Sequence, residues 1–134
     1  SEFTLPSWKR VDLLFSLPSA DVVVELKRVQ GSQLLTWRDM KAKRHSSLFY
    51  KEDTEKMSHI IGEMTEERLL KEVCKTYMGR KQTVDDLLCE AMSQASTYAE
   101  ELALGHKEGE CRAIHCFAAA LVHDRVIVAH KRFQ

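Results

Sequence analysis

Residues 10–28 read RVDLLFSLPSADVVVELKR, two runs rich in Val, Leu and Phe on either side of a Pro-Ser break. The pattern predicts a β-hairpin with strands over about 8–17 and 20–29 and a turn near Pro18 and Ser19. Asp12 interrupts the first run, and Glu25 and Lys27 interrupt the second. An unpaired charge in a buried strand costs several kcal/mol or is forced to neutralise. These three are therefore either positions that face water or side chains that converge on something. Period 2 puts Asp12 with Leu14 on one face of the first strand, and Val23, Glu25 and Lys27 on one face of the second. The opposite faces are apolar, Val11, Leu13, Phe15 and Leu17 on one strand and Val22, Val24 and Leu26 on the other. The apolar side is expected to be the buried one, with the charges on the other side of the sheet.

Beyond the hairpin the period changes. From Gly31 to about Gln82 the chain reads as amphipathic helix, basic at first and acidic later. Apolar residues from Met57 to Val73 recur near helical spacing, and Gly62 and Thr65 can split that run in two. Thr83 is a good N-cap, with Asp85 and Asp86 in the first turn where the helix dipole favours negative charge. The helix that it opens should run from Val84 to about Leu104 and stop at Gly105. Two strands follow, 111–121 and 125–130, joined by a tight turn at His123 and Asp124. Strand, strand, helical segment, long helix, strand, strand is an α/β order with a central sheet, and no internal repeat is visible.

The 134 residues suit a single domain, and 44% hydrophobic with 30% charged residues suits a globular one. Lys plus Arg and Asp plus Glu are 20 each, a formal net charge of zero, which argues against a protein held on nucleic acid by bulk charge. A local basic cluster remains, Arg38, Lys41, Lys43 and Arg44, which is either a solvated helix face or a surface that contacts phosphates. The four cysteines show no CxxC spacing, and no signal peptide or apolar run of membrane-spanning length is present. The expectation is a reduced, intracellular protein of nucleus or cytoplasm that does not engage membrane. A zinc site from Cys111, His115, Cys116 and His123 fits no common ligand spacing. The opening Ser-Glu-Phe, residues 1–3, reads as a cloning remnant.

A hairpin turning near Pro18 and Ser19 sets Asp12 across from the neighbourhood of Glu25. Two carboxylates that close repel, and one is protonated unless a cation lies between them. Hard oxygen donors imply Mg²⁺ or Mn²⁺ rather than zinc. Lys27, on the same face, adds a positive charge that could orient a water or stabilise charge on a phosphate oxygen. The bland reading is a cross-strand ion pair on an exposed sheet face, worth at most about 1 kcal/mol.

Asp12 followed by Glu25-Leu26-Lys27 in a VVVELK strand resembles the PD-(D/E)XK nuclease superfamily, the restriction-endonuclease-like fold. Gln94 and Tyr98, one turn apart on the long helix, are similar to a Gln and Tyr pair that several of its branches carry beside the metal site. The resemblance covers about 8–30 and 83–132. The sheet that it implies is central, mixed and flanked by helices, with 31–82 as a helical insertion. Within the superfamily the core looks most like the nuclease domains of Crinkler-type and retrotransposon-hot-spot-type effectors. It implies a Mg²⁺- or Mn²⁺-dependent nuclease acting on DNA ahead of RNA. Asp12, Glu25 and the Leu26 carbonyl would hold the ion, Lys27 would position or activate water, and Gln94 and Tyr98 would support the network. Arg38, Lys41, Lys43 and Arg44 would contact nucleic acid. Two departures stand against it: many members carry an acidic residue on a helix before the first strand, and the insertion is long. They leave open an inactive module of the same fold that binds a partner protein or a second copy through the insertion.

Overall fold

In this computed structural model the described residues are 3–4, 10–41, 51–75, 79–107, 109 and 112–133, with side chains described for all of these but 3–4, 10–11 and 40–41. In chain order the elements are β1 (Phe3–Thr4), β2 (Arg10–Val11), β3 (Leu13–Ser16), β4 (Ala20–Val29) and a 3₁₀ turn at Gly31–Gln33. Next come α1 (Leu35–Lys41), α2 (Lys51–Glu63), α3 (Glu66–Leu70), β5 (Val73–Lys75) and β6 (Lys81–Thr83). The long helix α4 (Val84–Leu104) and the pair β7 (Ala113–Val122) and β8 (Arg125–Phe133) close the chain. Four strands form a sheet in the order β3-β4-β7-β8, and two further sheets have two strands each, β1-β2 and β5-β6. Arg112, just before β7, bonds Asp21 at the start of β4, and the N–H of His123, just after β7, donates to the Val29 carbonyl at its end, 2.8 Å away. So β4 and β7 run in the same direction, and the helix-bearing segment between them supplies the crossover that parallel strands need. The expectation of a mixed α/β protein holds.

The chain divides into two compact units, one of 1–27, 88–119 and 128–134, the other of 28–87 and 120–127. In the first, β3 and β4 pair antiparallel with Leu13 opposite Val24 and Phe15 opposite Val22. Its core is built from Val23, Ala95, Ala99, Ile114 and Cys116, all buried. Ala91, Ala95 and Ala99 repeat every four residues along α4, a ridge of small side chains that lets the helix lie close to the sheet.

This packing reverses the expected faces. Asp21, Val23 and Glu25 of β4 are buried, whereas Phe15 and Leu26 are each 50% exposed. Sequence period separates two faces of a strand, but only the packing partner decides which one is covered. The small-residue ridge of α4 lies over the charged side, and the apolar side is left open.

The second unit contains α1, α2, α3, β5 and β6. The segment expected to be wholly helical includes a strand pair, with Cys74 opposite Gln82. The Gln33 amide donates to the Lys75 carbonyl (3.2 Å), and Leu34 bridges to Cys74, so distant neighbours override the helical period around Val73. The split of the Met57 to Val73 run falls at the anticipated place, where Thr65 caps α3 by accepting from the Arg68 N–H (3.1 Å). Thr83 and Asp86 form a reciprocal capping box at the start of α4, 3.0 Å in both directions. Met57, Ile61 and Leu69 are fully buried, so the apolar stripe of the insertion is spent on this unit's own core. No large hydrophobic side chain of 54–75 is exposed among the described residues.

The β7-β8 turn is anchored in the same unit. His123 adopts φ +57°, and its Nε2 lies 3.0 Å from the Ser58 hydroxyl and 3.1 Å from the Thr54 carbonyl. A Cβ on Gly31 would fall 2.8 Å from His123 Nδ1, so the close approach requires glycine there. Arg125 donates to the carbonyls of Ile61 (2.9 Å) and Met64, satisfying two of the acceptors that the end of α2 leaves open. Arg125→Ala should cost about 1 to 3 kcal/mol, the worth of charged hydrogen bonds to part-buried carbonyls. Chemical denaturation measures the loss, and hydrogen exchange should show it concentrated in the last turn of α2.

Candidate metal centre

Asp12 sits in the bend between β2 and β3. Continuing the register from Leu13 and Val24 puts it directly opposite Glu25. Its Oδ2 accepts a hydrogen bond from the Leu26 N–H at 2.7 Å, which fixes the carboxylate against the partner strand in place of a backbone acceptor. Glu25 is 6% exposed, and its Oε1 is the one buried side-chain polar atom without a hydrogen-bond partner among the described residues. Burial, then the charge of Asp12 and the hydrogen bond between the two side chains, raise the Glu25 carboxyl to about 7, and Lys27 lowers it only in part. Near neutrality Glu25 is therefore only partly ionised.

Lys27 follows on the same face, but its ammonium turns to Glu90 of α4, with Nζ 3.6 Å from Oε1. Glu90 was not singled out from the sequence. It lies four residues before Gln94 and eight before Tyr98, on one helical stripe, and that spacing is the signal that would have found it. Tyr98 packs against the core cluster on the helix face that covers the sheet. Gln94 is exposed. The structure thus joins Asp12, Glu25 and the Leu26 N–H directly, adds Lys27 with Glu90, and leaves Gln94 on the open flank of the helix.

The remaining candidates fall elsewhere. Arg38 is exposed on α1, in the second unit; the Lys41 side chain and all of Lys43 and Arg44 lie outside the described residues. Of the four zinc candidates, Cys111 lies outside them too. Cys116 is buried with its thiol toward the Ala95 carbonyl (3.7 Å), His115 Nδ1 is 2.8 Å from His130 Nε2, and His123 is engaged with Ser58. No group of three or more His, Cys, Asp or Glu able to hold a metal occurs among the described residues.

A hard divalent ion nevertheless suits the donors of the hairpin in kind. Both groups are carboxylates, one oxygen is buried without a partner, and Mg²⁺ commonly uses only one or two protein carboxylates while keeping waters. A second acidic centre had no counterpart in the sequence reading. Asp21 is buried on the same face of β4 and accepts from Arg112 Nη2 (2.9 Å), with His106 Nε2 at 3.2 Å from its other oxygen. Burial pushes this carboxyl up, but the bonds from Arg112, Ser16 and His106 outweigh it and hold Asp21 below the usual carboxylate range. It is a satisfied structural charge, in contrast to Glu25. Among the described residues no helix is long and apolar enough to cross a membrane.

Comparison with known proteins finds no matching family model, no matching curated protein and no matching solved structure.

Proposed function

We propose that the Asp12–Glu25 pair is the ion-binding centre of a metal-dependent phosphodiesterase of the PD-(D/E)XK type, acting on DNA ahead of RNA. The observation that carries this reading is the buried, unpartnered Glu25 oxygen beside a second carboxylate. A purely structural carboxyl at that position would be expected to resemble Asp21, with its acceptors filled. Asp12 and Glu25 would hold Mg²⁺ or Mn²⁺, with the Leu26 carbonyl as a further ligand on the resemblance alone. Such an ion, when bound, neutralises negative charge developing on a phosphate oxygen. Lys27 would orient water or a phosphate oxygen, and Glu90 holds its ammonium in place until substrate competes for it. Gln94, exposed on α4, is free to meet a bound strand.

The deciding experiment is cleavage of plasmid and single-stranded DNA, and of RNA, with Mg²⁺ or Mn²⁺ present or chelated. Wild type should cut only with the ion, and Asp12→Ala and Lys27→Ala should abolish cutting while circular dichroism keeps its native form. Absence of any ion-dependent cutting, together with melting that is indifferent to the ion, leaves a nuclease-like module without activity.

A further inference from the structure

Where the turn after β7 meets the end of β4, a half-open cavity lies within the second unit. It is lined by Arg28, Val29, Gln30, Gly31, Ser32 and His123. Its volume of about 320 Å³ is at the small end of ligand sites, which run from about 300 to 1,000 Å³. His123 is held at three points. Its backbone N–H donates to the Val29 carbonyl (2.8 Å), and its Nε2 lies 3.0 Å from the Ser58 hydroxyl and 3.1 Å from the Thr54 carbonyl. A carbonyl only accepts, so Nε2 carries the ring proton and Nδ1 of the neutral ring presents a lone pair.

Anchoring the turn thus uses one ring nitrogen and leaves the other idle. Nδ1 has no hydrogen-bond partner among the described residues, and it is not a buried atom. A Cβ at Gly31 would come within 2.8 Å of it, so any side chain there would press on this nitrogen, and glycine keeps it reachable. Arg28, the last residue but one of β4, is exposed and makes no hydrogen bond or ion pair among the described residues. The Ser32 hydroxyl stands beside it on the same rim, exposed. None of the described lining residues is Asp or Glu, although the chain holds 20 of them, so no carboxylate of the cavity competes for the guanidinium.

This set of side chains asks for a ligand with two properties. It needs anionic oxygens for the guanidinium and hydroxyl, and it needs a proton to offer Nδ1. Carboxylate, sulfate and phosphodiester groups supply the first and, near neutrality, not the second. A phosphate monoester supplies both, because its second proton is held loosely in that range. The contact at Nδ1 forms whether the proton stays on the phosphate oxygen or passes to the ring.

We propose that this cavity binds the phosphoryl group of a phosphate monoester, with Arg28 and Ser32 on its oxygens and His123 Nδ1 sharing its proton. The proposal does not rest on the metal centre, whose carboxylates Asp12 and Glu25 belong to the other unit.

The test is a titration of the ¹⁵N-labelled full chain with inorganic phosphate in neutral, metal-chelated buffer, followed by nuclear magnetic resonance. The Gly31 and Ser32 amides and the His123 ring should shift saturably. Arg28→Gln, on an exposed side chain, should weaken binding about tenfold or more, the worth of a charged hydrogen bond. His123→Asn should do the same, since asparagine tolerates the positive φ and lacks the ring. Native circular dichroism is checked for each variant first. Asp12→Ala should leave phosphate binding unchanged, which separates this site from the nuclease reading. Sulfate and dimethyl phosphate should move none of these signals at concentrations where phosphate saturates. Glycerol phosphate and a 5′-nucleoside monophosphate should both displace phosphate, and the lower displacing concentration identifies the bearer of the group. Absence of saturable shifts at Gly31 and Ser32 overturns the proposal, as does sulfate binding as tightly as phosphate or phosphate binding that Arg28→Gln leaves unchanged.

Discussion

In mildly alkaline, metal-free buffer Glu25→Gln is expected to melt at a higher temperature than wild type, although it removes a side chain from the centre of the candidate site. The ordinary carboxyl value of 4.5 rises to about 7 in the folded protein. Between those values the folded state binds a proton that the unfolded state has released, so stability falls as pH rises through the window and levels off above it. The ionised form costs about 2 to 3 kcal/mol. The introduced amide carries no charge, keeps the shape and can donate to Asp12, so that cost disappears. For a domain of this size the gain is roughly 5 to 10 °C. At pH values below the ordinary carboxyl range the two proteins should melt alike.

Mn²⁺ or Mg²⁺ should act in the opposite sense. An ion that binds only the folded state raises wild-type stability by mass action, and it must displace the Glu25 proton to do so. Its affinity should therefore climb as pH rises toward neutrality and flatten above it. Glu25→Gln should lose that response. If ions move neither protein, and the alkaline difference persists unchanged, the pair is a strained structural feature and the nuclease reading falls.

Local chemistry made much of the chain legible. Thr83, the two aspartates after it and Gly105 bound α4 because caps are written in adjacent residues, and the structure gives Val84–Leu104. The register that sets Asp12 opposite Glu25 follows from one turn, closed by the Leu17 N–H on the Ala20 carbonyl (2.7 Å). The side of the sheet that would be covered was not legible, because it depends on an alanine ridge some seventy residues away. Nor was β5 legible, since three residues are too few for period 2 to stand out inside a helical pattern. Lys27 with Glu90, and Asp21 with Arg112, join residues far apart in sequence that no local pattern connects.

Arg112→Ala is expected to cost the most stability of any single change considered, about 3 to 5 kcal/mol. The guanidinium sits just before β7 with its side chain 17% exposed. It donates to the carbonyls of Pro18 (3.1 Å), Ala20 (3.2 Å) and Leu17, and to the Asp21 carboxylate (2.9 Å). One side chain thus holds the β3-β4 turn and neutralises a charge that is 5% exposed. Alanine would leave that carboxylate with Ser16 and His106, would take the guanidinium from the Leu17 and Pro18 carbonyls, and would leave the Ala20 carbonyl with the Leu17 N–H. The penalty for an uncompensated buried charge exceeds the value of the bond itself, which is why breaking such a pair costs more than replacing both partners. Asp21→Asn with Arg112→Met should therefore recover part of the loss that Arg112→Ala alone incurs. Acid should expose the same arrangement from the other side. With its carboxyl held below the ordinary 3.8, Asp21 adds stability that is complete above that value and disappears as pH falls through its folded one. Arg112→Ala should flatten this acid limb, whereas Glu25→Gln should leave it intact and alter only the slope toward neutrality. Urea denaturation of the three proteins across that range separates the two carboxyls, and an acid limb unchanged by Arg112→Ala would show that Asp21 is held by its other partners.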